Sequence, residues 1–228
     1  MKLVICENND DIRKQIINET PVIIIKHFEK EEVCNTVIKS AHVFTKKNKP
    51  KIGNRFKETF WQFDVLPTKV LTERIFRTLC IHSSDKLPIV ELTRMIFEKM
   101  ALFQDKFLSI EESLNDKIQR KPQIIHYPIG GGFFDWHTHP RFPTNYGLIL
   151  NLSKKGRDFN EGQTEIKVNR KEIIKVDKYA DIGDLILFRY DLPHRVAPCD
   201  PREDLIFSSK GRWTAILPLL DASRQEVS

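Results

Sequence analysis

Long hydrophobic runs are missing from this chain. Its most apolar stretches, PVIIIKHF at 21–28 and YGLILNL at 146–152, fall well short of the roughly 20 residues that span a bilayer. The opening MKLVICENND turns acidic after six residues and has neither an apolar core nor a small-residue cleavage site. No leader is expected, and a cytoplasmic location is the default. Cysteine is scarce: Cys6, Cys34, Cys80 and Cys199 stand far apart, with no CxxC pairing. That spacing argues against a zinc ribbon or a dithiol redox centre and for buried free thiols. Repeats, low-complexity tracts and Pro/Gly linkers are also missing, so the 228 residues read as one domain, 1–228.

Charge is plentiful, with a formal excess of +6. The densest basic run, TKKNKPKIGNRFK at 45–57, follows no helical spacing and matches no nucleic-acid module. It reads as a solvated loop, with contact to an anionic, phosphorylated or carrier-bound substrate as the intermediate reading, and nucleic acid is not an expected partner.

The two halves differ in pattern. In the first, 1–120, KLVIC and PVIIIKHF read as strands. Val33, Val37, Ala41 and Phe44 recur at helical spacing in EKEEVCNTVIKSAHVFTKK. A second helix is expected over PIVELTRMIFEKMALFQDKFLSI, with Val90, Met95, Phe97, Ala101, Leu102 and Phe107 on its buried stripe. From about 121 to 220 the signal changes to short strands between turn clusters: QIIHYPI, FFDWHTH, YGLILNLS, TEIKVN, DLILFR, HRVAP and RWTAILPLL. The expected fold class is mainly β, a jelly roll of cupin-like type with flanking helices. The first half forms an α/β portion covering one sheet.

GGGFFDWHTHP, 130–140, places Asp135, His137 and His139 at alternate positions. On an extended strand these would share a face. His194 in FRYDLPHRVAP and Arg212 in GRWTAILPL follow later. Two ligands from one strand and a third from a distant strand can form one face of an octahedral metal, leaving the other positions for substrate and oxygen. A nearby arginine can grip a carboxylate through a two-pronged fork.

In order along the chain come HYPIGGGFFDWHTHP, LILNLS, EGQTEI, IGDLILF, HRVAP and RWTAIL. From Gln123 to Leu219 this series resembles the iron(II)- and 2-oxoglutarate-dependent oxygenases, in their prolyl-4-hydroxylase-like branch. The resemblance implies a double-stranded β-helix, with Fe(II) and 2-oxoglutarate as cofactors. It implies His137 and His194 as iron ligands and Arg212 as the partner of the far carboxylate of 2-oxoglutarate. Tyr127 would bond the same carboxylate, and Thr214 stands at the family's small hydroxyl position. Arg202 lies nearer the family's usual interval after the second histidine, but it falls in a Pro- and Asp-rich loop.

Position 139 departs from the family pattern, which has an acid there. Three readings are open: a three-histidine iron site with His139 as ligand, a site in which Asp135 supplies the carboxylate beside His137 and His194, and a site that has lost iron chemistry, with His139 a packing residue. The three-histidine site is the favoured reading. The family's halogenases have a small residue at this position, so halogenation is not expected.

The implied activity is hydroxylation, or a related C–H oxidation, of a small or carrier-bound substrate. The alternatives are a cupin-type oxygenase with three histidines that dispenses with 2-oxoglutarate, and a non-catalytic jelly-roll binding module. Substrate identity and oligomeric state are left open. Of the remaining residues, His126 is expected to be structural, and His27, His42 and His82 have no partners at useful spacing. Trp136 is expected to point into the sheet–helix core. Asn145 and Tyr146 are candidate pocket residues or plain strand residues. Asp184 reads as a turn acid, and Arg189 could pair with it or with substrate.

Overall fold

The computed structural model describes residues 2–66, 72–108 and 118–221. Three helices and fourteen strands are described. The first half contributes β1 (Leu3–Cys6), α1 (Asn9–Ile17), β2 (Val22–Ile25), α2 (Glu31–Lys47), β3 (Phe60–Leu66), β4 (Arg74–Cys80) and α3 (Pro88–Phe107). The second half contributes β5 (Ile118–Arg120), β6 (Gln123–Tyr127), β7 (Gly132–His137), β8 (Tyr146–Asn151), β9 (Thr164–Asn169) and β10 (Glu172–Lys175). After a 3-10 turn at Val176–Lys178 come β11 (Leu185–Arg189), β12 (His194–Cys199), β13 (Arg212–Ile216) and β14 (Leu219–Asp221).

The strands pair in the order β1-β2-β11-β8-β13-β6-β4-β7-β12-β9-β10, with β3 on β4 and a separate β5-β14 pair. The long path curls into a jelly-roll barrel, as the strand pattern of the second half led one to expect. The first half does more than cover it. β2 pairs with β11, and β4 lies between β6 and β7, so both are staves of the barrel. The four residues of β2 are all buried, as a continuous apolar run in mid-sheet should be.

One face of this sheet packs on the helices. Trp213 and Ala215 of β13, Leu148 and Leu150 of β8, and Leu185 and Leu187 of β11 join Val37, Ile38 and Ala41 of α2 and Ile96, Phe97 and Met100 of α3 in one core. The α3 stripe differs in detail from the expected one. Met95 is 77% exposed and Leu102 69% exposed, while Ile89, Thr93, Ile96, Met100 and Phe103 are buried. Those five follow the three- and four-residue steps of a helix face, and Met95 and Leu102 lie off it. The end of the expected helix, at 109–110, falls outside the described residues.

Two elements of the first half carried weak signals. α1 is short and mostly exposed; its clearest mark is Asn8, whose side chain accepts from the Asp11 N–H as an N-cap. The β3-β4 hairpin alternates charged and apolar residues unevenly. Asp64 on β3 accepts from Thr78 of β4 and sits 3.7 Å from Arg74, which stabilises the cross-strand register. All four cysteines are free and buried, and burial pushes Cys34 and Cys199 up to about 12.

Candidate metal centre

Two strands set the geometry. β7 and β12 run antiparallel, and His137 lies directly across from His194. The next pair is Phe134 with Val196, so three residues of β7 span two of β12. This β-bulge breaks the alternation at Asp135 and Trp136. Phe134 and His137 therefore face the same cavity and stack at 3.8 Å between ring centroids. Asp135 does not share that face. The bulge removes the even spacing on which its placement beside His137 rested.

His139 follows just beyond β7. Its backbone N–H donates to the Tyr190 carbonyl at 2.9 Å, which holds the segment against the end of β11. Among the described residues the groups suited to a metal are His137, His139 and His194, whose ligand atoms all lie within 4.8 Å of one another. Ring centroids are 4.2 Å apart for His137 and His194, 4.9 Å for His137 and His139, and 5.1 Å for His139 and His194.

Two of these rings are fixed in a useful tautomer. His137 Nδ1 donates to the Asp135 carbonyl at 2.7 Å, and His194 Nδ1 donates to the Leu192 carbonyl at 2.9 Å. A carbonyl can only accept, so each Nδ1 carries the proton and each Nε2 keeps its lone pair. This is the outer support that metal-binding histidines use. Asp135 thus contributes its backbone oxygen. Burial lowers His137 to about 4 and His194 to about 3, and partial desolvation also lowers His139, which is exposed. All three are neutral near pH 7, as metal binding requires. The donor set fits a divalent first-row metal, iron included.

The cavity walls are mostly apolar, with Ile125, Leu148, Phe188, Val196 and Ile216, and Gly147 at one edge. Tyr127, Thr164 and Thr214 bring hydroxyl groups to the same walls. Burial raises Tyr127 well above the ordinary phenol value and so keeps it protonated; Arg212 pulls the other way, more weakly.

Arg212 is on β13, across from Tyr127, and is 1% exposed. Its side chain is on the face of β13 shared by the cavity-lining Thr214 and Ile216, beside the cavity. Its Nη1 pairs with Asp177, and its Nη2 donates to Thr164 Oγ1 at 2.8 Å and Asn151 Oδ1 at 3.1 Å. Its Nε is buried with no partner. For 2-oxoglutarate the fit is therefore partial. Tyr127 and Thr214 face the cavity, but the expected carboxylate anchor already holds a carboxylate of this chain. Asp177 carried no signal of its own in KVDKY. Its role depends on Arg212, 35 residues later.

His126 is structural: Arg77 donates to its Nδ1, its Nε2 donates to the Lys210 carbonyl, and its ring stacks on Trp213 at 4.1 Å. Trp136 is half-buried outside the helix core, with Arg195 over its ring at 4.7 Å, because the bulge turns it outward. Tyr146 is buried in the core and bonds the Thr20 carbonyl, and Asn145 is exposed, so neither lines the cavity. Asp184 is a buried turn acid that accepts from the His27 and Asp181 N–H groups and pairs with Lys26. Arg189 pairs with Asp191 instead, a neighbour in its own turn, and reaches Glu19. The Arg202 side chain is 88% exposed and 3.9 Å from Glu161, away from the site.

This barrel, with a metal-capable trio at its open end, is the prolyl-4-hydroxylase-like fold of the 2-oxoglutarate–iron(II) oxygenases. A Pseudomonas putida prolyl-4-hydroxylase superposes with a TM-score of 0.60 at 12% identity, over 93% of this chain and 98% of the other. A Trichoplax adhaerens prolyl hydroxylase, solved with a peptide of the hypoxia-inducible factor oxygen degradation domain, gives 0.57 at 16% identity, over 96% and 91%. A Burkholderia pseudomallei oxidoreductase of the 2OG-Fe(II) oxygenase family gives 0.54 at 11%, over 96% and 95%. At these identities the likeness is one of fold. No family model and no curated protein matches the sequence.

Proposed function

We propose that this chain is a single-domain, non-haem iron oxygenase whose metal is held by His137, His139 and His194. Its substrate is small or carrier-bound, and it is oxidised at a C–H bond with 2-oxoglutarate as cosubstrate. The observation that carries this reading is the trio itself. Three neutral imidazoles converge at the mouth of an apolar cavity, and two have Nδ1 tied back to carbonyls. The fold neighbours, which include 2-oxoglutarate–iron(II) oxygenases, support the cosubstrate.

Bound iron would supply the activation of oxygen. The protein does the rest. His137 and His194 present Nε2 from paired strands of the sheet, so the ligand geometry is set before metal arrives. Phe134, stacked on His137, and Phe188, 4.5 Å from His194, shield the ligand rings from water. The Tyr127 and Thr214 hydroxyls can orient a polar end of the bound molecule. Having a histidine where the family has an acid leaves the centre one negative charge short and more cationic.

A second reading, oxidation without 2-oxoglutarate, is favoured by one observation: Arg212 is engaged by Asp177. Anaerobic titration with iron(II) and then 2-oxoglutarate separates the two. The first reading expects stoichiometric iron binding that His194→Ala loses, followed by the weak visible charge-transfer band of the chelate. Iron binding without that band, with oxygen uptake on substrate alone, selects the second reading. Equal iron binding by wild type and His194→Ala overturns the metal assignment.

A further inference from the structure

We infer that Asp177 is an internal competitor for Arg212: its carboxylate occupies the subsite that a dicarboxylic ligand of the cavity would need, and so sets the site's preference between dicarboxylates and ligands without a second carboxylate. The part concerning cavity ligands rests on the metal reading above. The part concerning the subsite does not.

The carboxylate is held at both oxygens. Oδ1 takes Nη1 of Arg212, and Oδ2 accepts the Thr164 N–H at 2.8 Å. Thr164 is also on the cavity wall and accepts from Arg212, so acid, arginine and wall form one connected unit. The pair is almost fully desolvated, at 1% and 3% side-chain exposure. An ion pair removed from water stays closed, because releasing one partner strands a buried charge. Arg212 nevertheless keeps spare donor capacity, since Nε is buried without a partner. Arg195, which also lines the cavity, has its guanidinium over the Trp136 ring and committed to Glu165 at 2.8 and 2.7 Å. A carboxylate entering this cavity therefore meets no free cation among the described wall residues. It binds well only by taking the place of Asp177.

The subsite can be tested without metal. Asp177→Ala deletes the resident carboxylate and leaves a space of its size beside Arg212. Sodium formate, against sodium chloride at matched ionic strength, should raise the melting temperature of this variant by several degrees, as a ligand confined to the folded state does. It should leave wild type and the Asp177→Ala/Arg212→Met double variant unmoved. If Asp177→Ala does not fold, Asp177→Ser takes its place, leaving most of the same space and removing the charge. In the second arm, calorimetry on anaerobic iron-loaded protein should show 2-oxoglutarate binding the Asp177 variant roughly tenfold or more tighter than wild type, the scale of one charge-assisted bond. Arg212→Met in the same background should erase the gain. A formate response equal in wild type and variant, or none in either, overturns the inference. So does equal 2-oxoglutarate affinity in wild type and the Asp177 variant. A wild type that binds no iron would overturn the metal reading and leave the formate result standing.

Discussion

At the open end of the barrel interior, His137 and His194 use Nδ1 on backbone carbonyls and keep Nε2 unspent. Beside the cavity, on the same face of β13 as Thr214, Arg212 has given its terminal nitrogens to Asp177, Asn151 and Thr164. Both places are buried, polar and built on the same sheet, yet only one retains coordinating atoms for something else. His126 sharpens the contrast. It is as buried as any histidine here, but Arg77 and the Lys210 carbonyl use both its nitrogens. Burial of a histidine therefore says little about function. An unspent ring nitrogen pointing into a cavity says much more.

The contrast can be broken most directly at the metal end. His194→Ala should lower iron affinity by more than about 100-fold, since even the outer partners of metal-binding histidines are worth roughly 10–100-fold. His126→Asn should leave iron affinity unchanged. Metal titration of both variants is the check, and similar losses in the two would erase the distinction.

At the arginine end the expected effect is on folding. Arg212→Met leaves Asp177 buried and unpaired and should cost about 3–5 kcal/mol. The exposed Arg202→Ala should stay within about 0.5 kcal/mol. Urea unfolding of the metal-free variants measures both. A small cost at Arg212 would mean that the pair opens easily.

The smallest effect is one of pH. Burial holds His126 well below its ordinary value of 6.5, so the folded state keeps it neutral. The unfolded chain takes up the proton as pH falls below 6.5, so the contribution of His126 to stability is complete above that value and declines below it. Unfolding of metal-free protein at about pH 7.5 and about pH 5 should show the decline, with a shallower slope in His126→Asn. An equal slope in the two would show that this histidine is not held neutral by the fold.

Much of the barrel could be read from pattern. Short alternating runs between turn clusters are strands wherever they pair, and the ordered pieces from HYPIGGG to RWTAIL placed His137, His139, His194 and Arg212 on or beside them. The helix faces were legible only in part. Period alone could not say that Met95 and Leu102 lie off the α3 core face, because the edge of a stripe depends on what packs against it. The β3-β4 hairpin is not legible in local pattern because its stabilising pairs, such as Asp64 with Thr78, are cross-strand.

What the sequence determined by itself was local: strand and helix periodicity, free thiols, and three histidines in a motif order that resembles an oxygenase. Two decisions belonged to the tertiary structure. The bulge in β7 moved Asp135 out of the trio, and it exists only through pairing with β12, some 60 residues on. Asp177 was matched to Arg212 because the barrel closes around both. Each depends on which strand lies beside which, and that is set by long-range pairing and burial, which local spacing does not encode.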